Sequence, residues 1–221
     1  MIYFYIRDCF KFHKSKHGGA FIMMGRLRAM REPLKYVQGR DALLKFQEEM
    51  GYMGKRWLFV CSNSGYKACH DKIEKSFGNS DDYRRYEIFG GISSNGEIAK
   101  MSEIVKTDHI DTVVAVGGGS AVDTAKATAY YTGKHIVIIP TVAATDAPCT
   151  GLSVIYNDDH SFDKYLFYPT NPDAVMVDST IIANAPVKFL IAGMGDALGT
   201  YFEGRASIRT ESASLEGTGI T

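Results

Sequence analysis

Residues 112–126 read TVVAVGGGSAVDTAK and constrain the fold more than any other stretch of the chain. Residues 113–116 form a short, wholly apolar run of the length of one buried parallel strand. Gly117, Gly118 and Gly119 follow without a break, and Ser120, Ala121, Val122 and Asp123 then read as the start of a helix. A chain that leaves a strand through glycine and turns straight into a helix places a helix N-terminus at the carboxyl edge of a sheet. The free N–H groups and the dipole of that terminus favour an anion, and glycine lets the backbone approach it closely. The spacing is not the dinucleotide fingerprint GxGxxG, because Val122 stands at the third glycine position. The same residues also fit a plain strand–helix turn closed by a capping box, with Ser120 as N-cap and Asp123 three residues on.

Residues 135–140 (HIVIIP) form a second apolar run, and a polar loop over 141–151 follows it. Ligands of open parallel sheets bind beyond the carboxyl ends of the strands. A loop there carrying Thr141, Thr145, Asp146 and Thr150 is placed to grip polar groups. An Asx or ST turn, in which Asp146 and Thr145 bond their own backbone ahead of Pro148, fits the same residues.

Around these two segments strands and helices alternate. Strands are predicted over 57–61, 86–89, 112–116 and 136–139, with helices from just after Gly65 to about Phe77, over 96–106 and over 121–131. Alternation of this kind implies a parallel sheet with helices on both faces. Residues 152–156 and 162–167 flank Asn157, Asp158, Asp159 and His160 and read as an added β-hairpin. A short strand over 175–177 and a short helix from Ser179 precede Pro186, and a long helix is expected from Val187 to about Ser207. Gly193, Gly195 and Gly199 weaken that helix by about 1 kcal/mol each relative to alanine, which calls for close packing or a ligand nearby. The fold class is therefore α/β, a Rossmann-like parallel sheet with helices on both faces and an added β-hairpin, followed by a helical stretch. Apolar residues of the long helix (Phe189, Leu190, Leu198, Phe202) are expected to lie exposed, favouring self-association and poor solubility.

Composition narrows the partners. The formal net charge is +0, with 45% hydrophobic and 23% charged residues, so no overall field points to nucleic acid or a membrane surface. No apolar run approaches the roughly 20 residues of a membrane-spanning helix. Cys9, Cys61, Cys69 and Cys149 include no CxxC pair, which fits a cytoplasmic protein more than a disulfide scaffold. Residues 1–31 hold seven Lys or Arg and one acid, Asp8, and residues 1–29 are read as an extension outside the fold.

Four segments in order, AVGGGSAVDTAKA, IPTVAATDAPCTGLSVIY, FYPTNPDAVMVDSTIIANAP and GMGDALGTYFE, resemble the glycerol dehydrogenases of the iron-containing, metal-dependent alcohol dehydrogenase superfamily. The resemblance covers about residues 30–206 and implies an N-terminal α/β dinucleotide-binding domain over 30–185, followed over 186–221 by the beginning of a helical metal-binding domain, incomplete here. It implies NAD as cofactor, a divalent metal (zinc in most glycerol dehydrogenases, iron as the alternative), a small polyol as substrate, and a homo-oligomeric full-length form. It carries cofactor contacts onto Gly117, Gly118, Gly119, Ser120 and Asp123 of the glycine turn, and onto Thr141, Ala144, Thr150, Leu152 and Tyr156 of the loop and hairpin. Ser62 stands at the end of a strand where relatives often hold the ribose with an acid. Position 120 is often Lys in relatives and position 144 often Ser. Asp146 matches the residue that holds substrate hydroxyls, and its carboxylate can accept two hydrogen bonds from a vicinal diol.

Asp196 matches the family's aspartate metal ligand. Without that motif it would read as a helix-surface acid paired with a nearby base. The family's other two ligands are histidines further along. Here the histidines at 13, 17, 70, 109, 135 and 160 all precede Asp196 and lie outside that context. A catalytic zinc needs about three protein ligands, so the chain alone is expected to hold metal weakly and to be inactive. Two other readings compete with the polyol dehydrogenase. A related lyase, 3-dehydroquinate synthase, also uses NAD and zinc, but TDAPCTGLSVIY favours the glycerol enzyme. A non-catalytic nucleotide-binding remnant is the other.

Overall fold

The computed structural model describes residues 32–210, and the expected extension at 1–29 lies outside them. The chain divides into two compact units, residues 31–199 and a second made of 1–30 with 200–221; of the second only 200–210 are described, as helix.

The larger unit is built on a parallel sheet. Its strands are β1 (Lys35–Gly39), β2 (Arg56–Cys61), β3 (Tyr83–Ile88), β4 (Thr112–Gly117), β5 (His135–Pro140) and β8 (Ala174–Asp178), in the order β1-β8-β5-β4-β2-β3. β6 (Leu152–Tyr156) and β7 (Phe162–Phe167) form a separate antiparallel hairpin, as the alternation around 157–160 predicts. The helices are α1 (Phe46–Met50), α2 (Asn63–Phe77), α3 (Asn95–Thr107), α4 (Gly119–Thr132), α5 (Ser179–Asn184) and α6 (Val187–Thr210).

The central strands are apolar throughout because both faces are covered. Side chains alternate between those faces. Trp57, Phe59, Cys61, Val114, Val116 and Ile139 pack with Phe46, Ile73 and Phe77 on one side. Leu58, Val60, Val113, Ala115 and Ile138 pack with Met101, Val105, Val122 and Ala125 on the other. The first side holds an aromatic cluster in which Phe46 lies 5.5 Å from Trp57, edge to face, and 5.8 Å from Phe77.

The structure departs from the sequence reading in four places. The helical stretch 42–53, which includes α1, falls where no element was predicted. β1 was not anticipated; its five residues alternate half-buried and exposed instead of forming an apolar run. β3 begins three residues earlier, at Tyr83, because Arg84 and Arg85 remain in the strand by pairing with Glu74 and Asp108. The capping box at Ser120 is absent: α4 begins at Gly119, its N-cap is Gly118 in extended conformation, and no side chain caps it. Gly118 takes the N-cap because the glycine turn itself bends the chain, which leaves Asp123 inside the helix and buried.

Candidate nucleotide-binding cleft

The strand order reverses between β2 and β4. This is the switch point of a doubly wound sheet, where a crevice opens at the carboxyl edge. Here the backbones of the two strand ends nearly touch. The Ser62 N–H donates to the Val116 carbonyl at 3.0 Å. A Cβ on Gly65 would collide with that same carbonyl, and one on Gly117 would come within 2.8 Å of Ala121 Cβ and 3.0 Å of Ser62 Oγ. Both positions therefore require glycine for packing. Ser62 also caps α2, its hydroxyl accepting from Gly65 N at 3.0 Å.

Gly118 and Gly119 differ from Gly117 in remaining partly open. The first intrahelical bond of α4 that involves the turn runs from Val122 N to Gly118 O at 3.1 Å. No acidic residue occupies the first turn and no side chain caps it. The N–H groups of Gly119, Ser120 and Ala121 are thus available to an external anion, as at helix N-termini that hold phosphate. Ser120 is exposed beside them.

The loop after β5 runs alongside this turn. Thr141 N donates to Gly117 O at 3.0 Å. Val142 Cγ2 lies 3.4 Å from where a Gly118 Cβ would stand, and Thr145 Cγ2 lies 3.6 Å from the same point on Gly119. Thr141 is buried, whereas Ala144, Thr150, Leu152 and Tyr156 are half-exposed and Asp146 is exposed. The ST turn is present, Ala147 N donating to Thr145 Oγ1 at 3.4 Å, but the Asp146 side chain makes no cap bond to the short helical turn that follows it. Its carboxylate is left facing outward.

α6 crosses this loop. A Cβ on Gly193 would strike the Ala143 carbonyl, while Gly195 and Gly199 face open space. One glycine of the three is therefore explained by close packing. That approach lets the Asp146 N–H donate to Asp196 Oδ2 at 3.3 Å. The two residues matched to substrate and to metal, fifty positions apart in sequence, are joined by a hydrogen bond.

Asp123 and Lys126 depart from what a cofactor-facing site would show. Both are buried, at 9% and 3% exposure, and their side chains pair at 3.2 Å. Lys126 Nζ also donates to the carbonyls of Ala147 (3.0 Å), Thr150 (3.4 Å) and Leu152. Asp123 Oδ2 accepts from Val154 N at 3.3 Å, and the Asp123 carbonyl accepts from Ser153 Oγ at 3.3 Å. Burial pushes the Asp123 carboxyl up and the Lys126 ammonium down, and each charge opposes the shift of the other. Sequence reasoning gave Lys126 no role. The available signal was an acid and a base three residues apart in a helix whose other residues are uncharged.

The hairpin is stapled beside the cleft. Tyr156 N donates to Ser93 O at 2.9 Å, Gly96 N to Asp158 Oδ1 at 3.2 Å, and Asn95 Nδ2 to Asp163 Oδ2 at 3.1 Å. A cavity of about 680 Å³ lies elsewhere, at the amino ends of the strands, lined by Tyr52, Lys55, Tyr130, His135 and Asp173 among others. It touches none of the residues matched to cofactor, substrate or metal, and it lies at the edge where parallel sheets do not usually bind ligands. Among the described residues no three His, Cys, Asp or Glu gather as a metal site, and no helix is long and apolar enough to cross a membrane.

A doubly wound parallel sheet with a glycine turn at its switch point defines an α/β protein of the Rossmann-like class. The chain belongs to the iron-containing alcohol dehydrogenase family, which it matches over residues 33–179. It is 40% identical over 190 residues to a glycerol dehydrogenase of Escherichia coli O6:H1, covering 86% of this chain and 52% of that protein. It is 43% identical over 187 residues to a glycerol dehydrogenase of Thermotoga maritima, covering 84% and 50%. The crystal structure of a probable glycerol dehydrogenase from Sinorhizobium meliloti 1021 superposes with a TM-score of 0.77 at 38% identity, over 85% of this chain and 51% of that one. The chain spans about half the length of these relatives.

Proposed function

We propose that the chain forms the dinucleotide-binding part of a polyol dehydrogenase, which oxidises glycerol or a similar vicinal diol with NAD and a divalent metal. The observation that carries this reading is the joining of Asp146 and Asp196 beside an uncapped glycine turn at the switch point. The N–H groups of Gly119 and Ser120 would take the pyrophosphate, with Gly117 and Gly118 letting it approach. Ser62, at the end of β2, would face the ribose of the adenosine. Thr141, Ala144, Thr150, Leu152 and Tyr156 would frame the nicotinamide half. Bound NAD supplies the acceptor for the hydride that leaves the carbinol carbon, and the hydroxyl proton passes to solvent.

Asp146 would orient the diol, its outward carboxylate accepting from two hydroxyls. Asp196 offers one carboxylate to a metal, held in place by the Asp146 N–H. The described residues alone do not complete a metal site. That observation favours a second reading, in which the chain binds nucleotide without turning it over.

Titration of the full chain with NADH, followed by nicotinamide fluorescence, tests the shared part of both readings. Binding that is lost in Gly119→Asp, where a carboxylate would occupy the anion site, supports it; no binding by the unaltered chain overturns it. Glycerol-dependent NADH formation with added zinc separates the two readings, because the second predicts none.

A further inference from the structure

Lys126 is a charged side chain with almost no access to water, in the helix that begins at the glycine turn. A buried charge is expensive, and a pair such as Asp123–Lys126 can often be replaced by apolar residues without loss of stability. Stability alone therefore does not account for the pair. Three carbonyls of one loop converge on the ammonium, at Ala147, Thr150 and Leu152. Asp123 then holds the next two residues, Ser153 and Val154. Together they fasten residues 147–154 to the second and third turns of α4.

Residues 152–154 are also held by pairing with β7, and Ala147 and Cys149 pack against the core; two further hydrogen bonds hold the stretch between. Asn171 Nδ2 donates to Cys149 O at 2.8 Å, and Tyr168 N to Gly151 O at 2.8 Å. The side-chain bonds that tie this segment directly to α4 come from Lys126 and Asp123.

We propose that Lys126 is a positioning residue for the dinucleotide. Its ammonium fixes the wall carrying Thr150 and Leu152 at a set distance from the N–H groups that would hold the phosphates. It touches neither cofactor nor substrate. The proposal rests on the dinucleotide reading above.

The test uses the full chain and Lys126→Met, with two measurements: amide hydrogen exchange in peptides covering 147–154 and in β4, and the Kd for NADH. Loss of the ammonium is expected to speed exchange in 147–154 by about tenfold or more while β4 remains protected, and to weaken NADH binding by about tenfold, the scale of one lost charge-assisted contact. If Lys126→Met does not fold, the pair Lys126→Met with Asp123→Leu removes both charges and preserves the apolar packing. The same local exchange is then expected. Exchange that stays unchanged in 147–154, or that rises equally in β4, overturns the role of Lys126 whatever the binding result. Absence of NADH binding by the unaltered chain instead overturns the dinucleotide reading.

Discussion

α4 and α6 are both rich in small and apolar residues, yet the structure uses them in opposite ways. In α4 nine consecutive residues, Ala121 to Ala129, are buried between the sheet and the hairpin. In α6 none is buried, and Leu190, Ile191, Met194 and Leu198 stand exposed. The difference shows that a helix's composition does not reveal whether it is core or surface; its neighbours do. α4 follows a strand at once and is pressed against the sheet along its length. Residues 187–199 of α6 approach the loop after β5 closely at Gly193 and leave Leu190, Ile191, Met194 and Leu198 exposed.

Mutations can break or sharpen this contrast. The largest effect is expected for Asp123→Ala in α4, which strands Lys126 as a buried charge and should cost about 3–5 kcal/mol in urea denaturation. A loss under 1 kcal/mol would mean that the α4 pair is solvated like a surface pair. Next come matched truncations. Val122→Ala, fully buried, should cost about 2 kcal/mol, and Leu198→Ala in exposed α6 should stay within about 0.5 kcal/mol; equal losses would erase the distinction.

The glycines of α6 should then diverge. Gly193→Ala forces helix and loop apart and should cost about 1 kcal/mol or more, whereas Gly195→Ala, facing open space, should stabilise by about 0.5–1 kcal/mol. Thermal unfolding of the two variants side by side checks this. The smallest effect on stability is expected from Met194→Lys, which instead should reduce self-association in sedimentation velocity by breaking the exposed apolar strip. An unchanged sedimentation profile would show that the strip does not mediate association.

Much of the architecture could be read from residue order because parallel strands buried on both faces announce themselves as apolar runs. β4 and β5 were legible within a residue or so for that reason, and the two antiparallel arms of the hairpin from the turn residues between them. β1 and the start of β3 were not. Both are edge strands, and their polar residues, such as Arg84 and Arg85, are supported by tertiary ion pairs that no local pattern reveals. The site divided in the same way. The glycine turn and Asp146 could be found from their place after strands, and Asp196 from its motif. Lys126 was invisible because lysine is rarely buried, and its three carbonyl partners belong to a loop whose path sequence does not specify. The hydrogen bond between Asp146 and Asp196 depends on Gly193, whose reason for being glycine appears only once α6 is placed against the loop.

The sheet also has a clock built into it. β1 pairs in parallel with β8 across the whole domain, and Asp178 at the end of β8 bonds back to Leu43 N at 3.4 Å and to Lys72 Nζ at 2.9 Å. On a ribosome, residues 35–39 emerge before the other described strands and cannot pair with β8 until residues 174–178 follow. Through that interval the β5 edge, destined for β8, remains an open template for another chain. That edge is covered only when Ala174 and Val175 pair with Val137 and Ile138, and Asp178 then ties the end of the strand to Leu43 and Lys72.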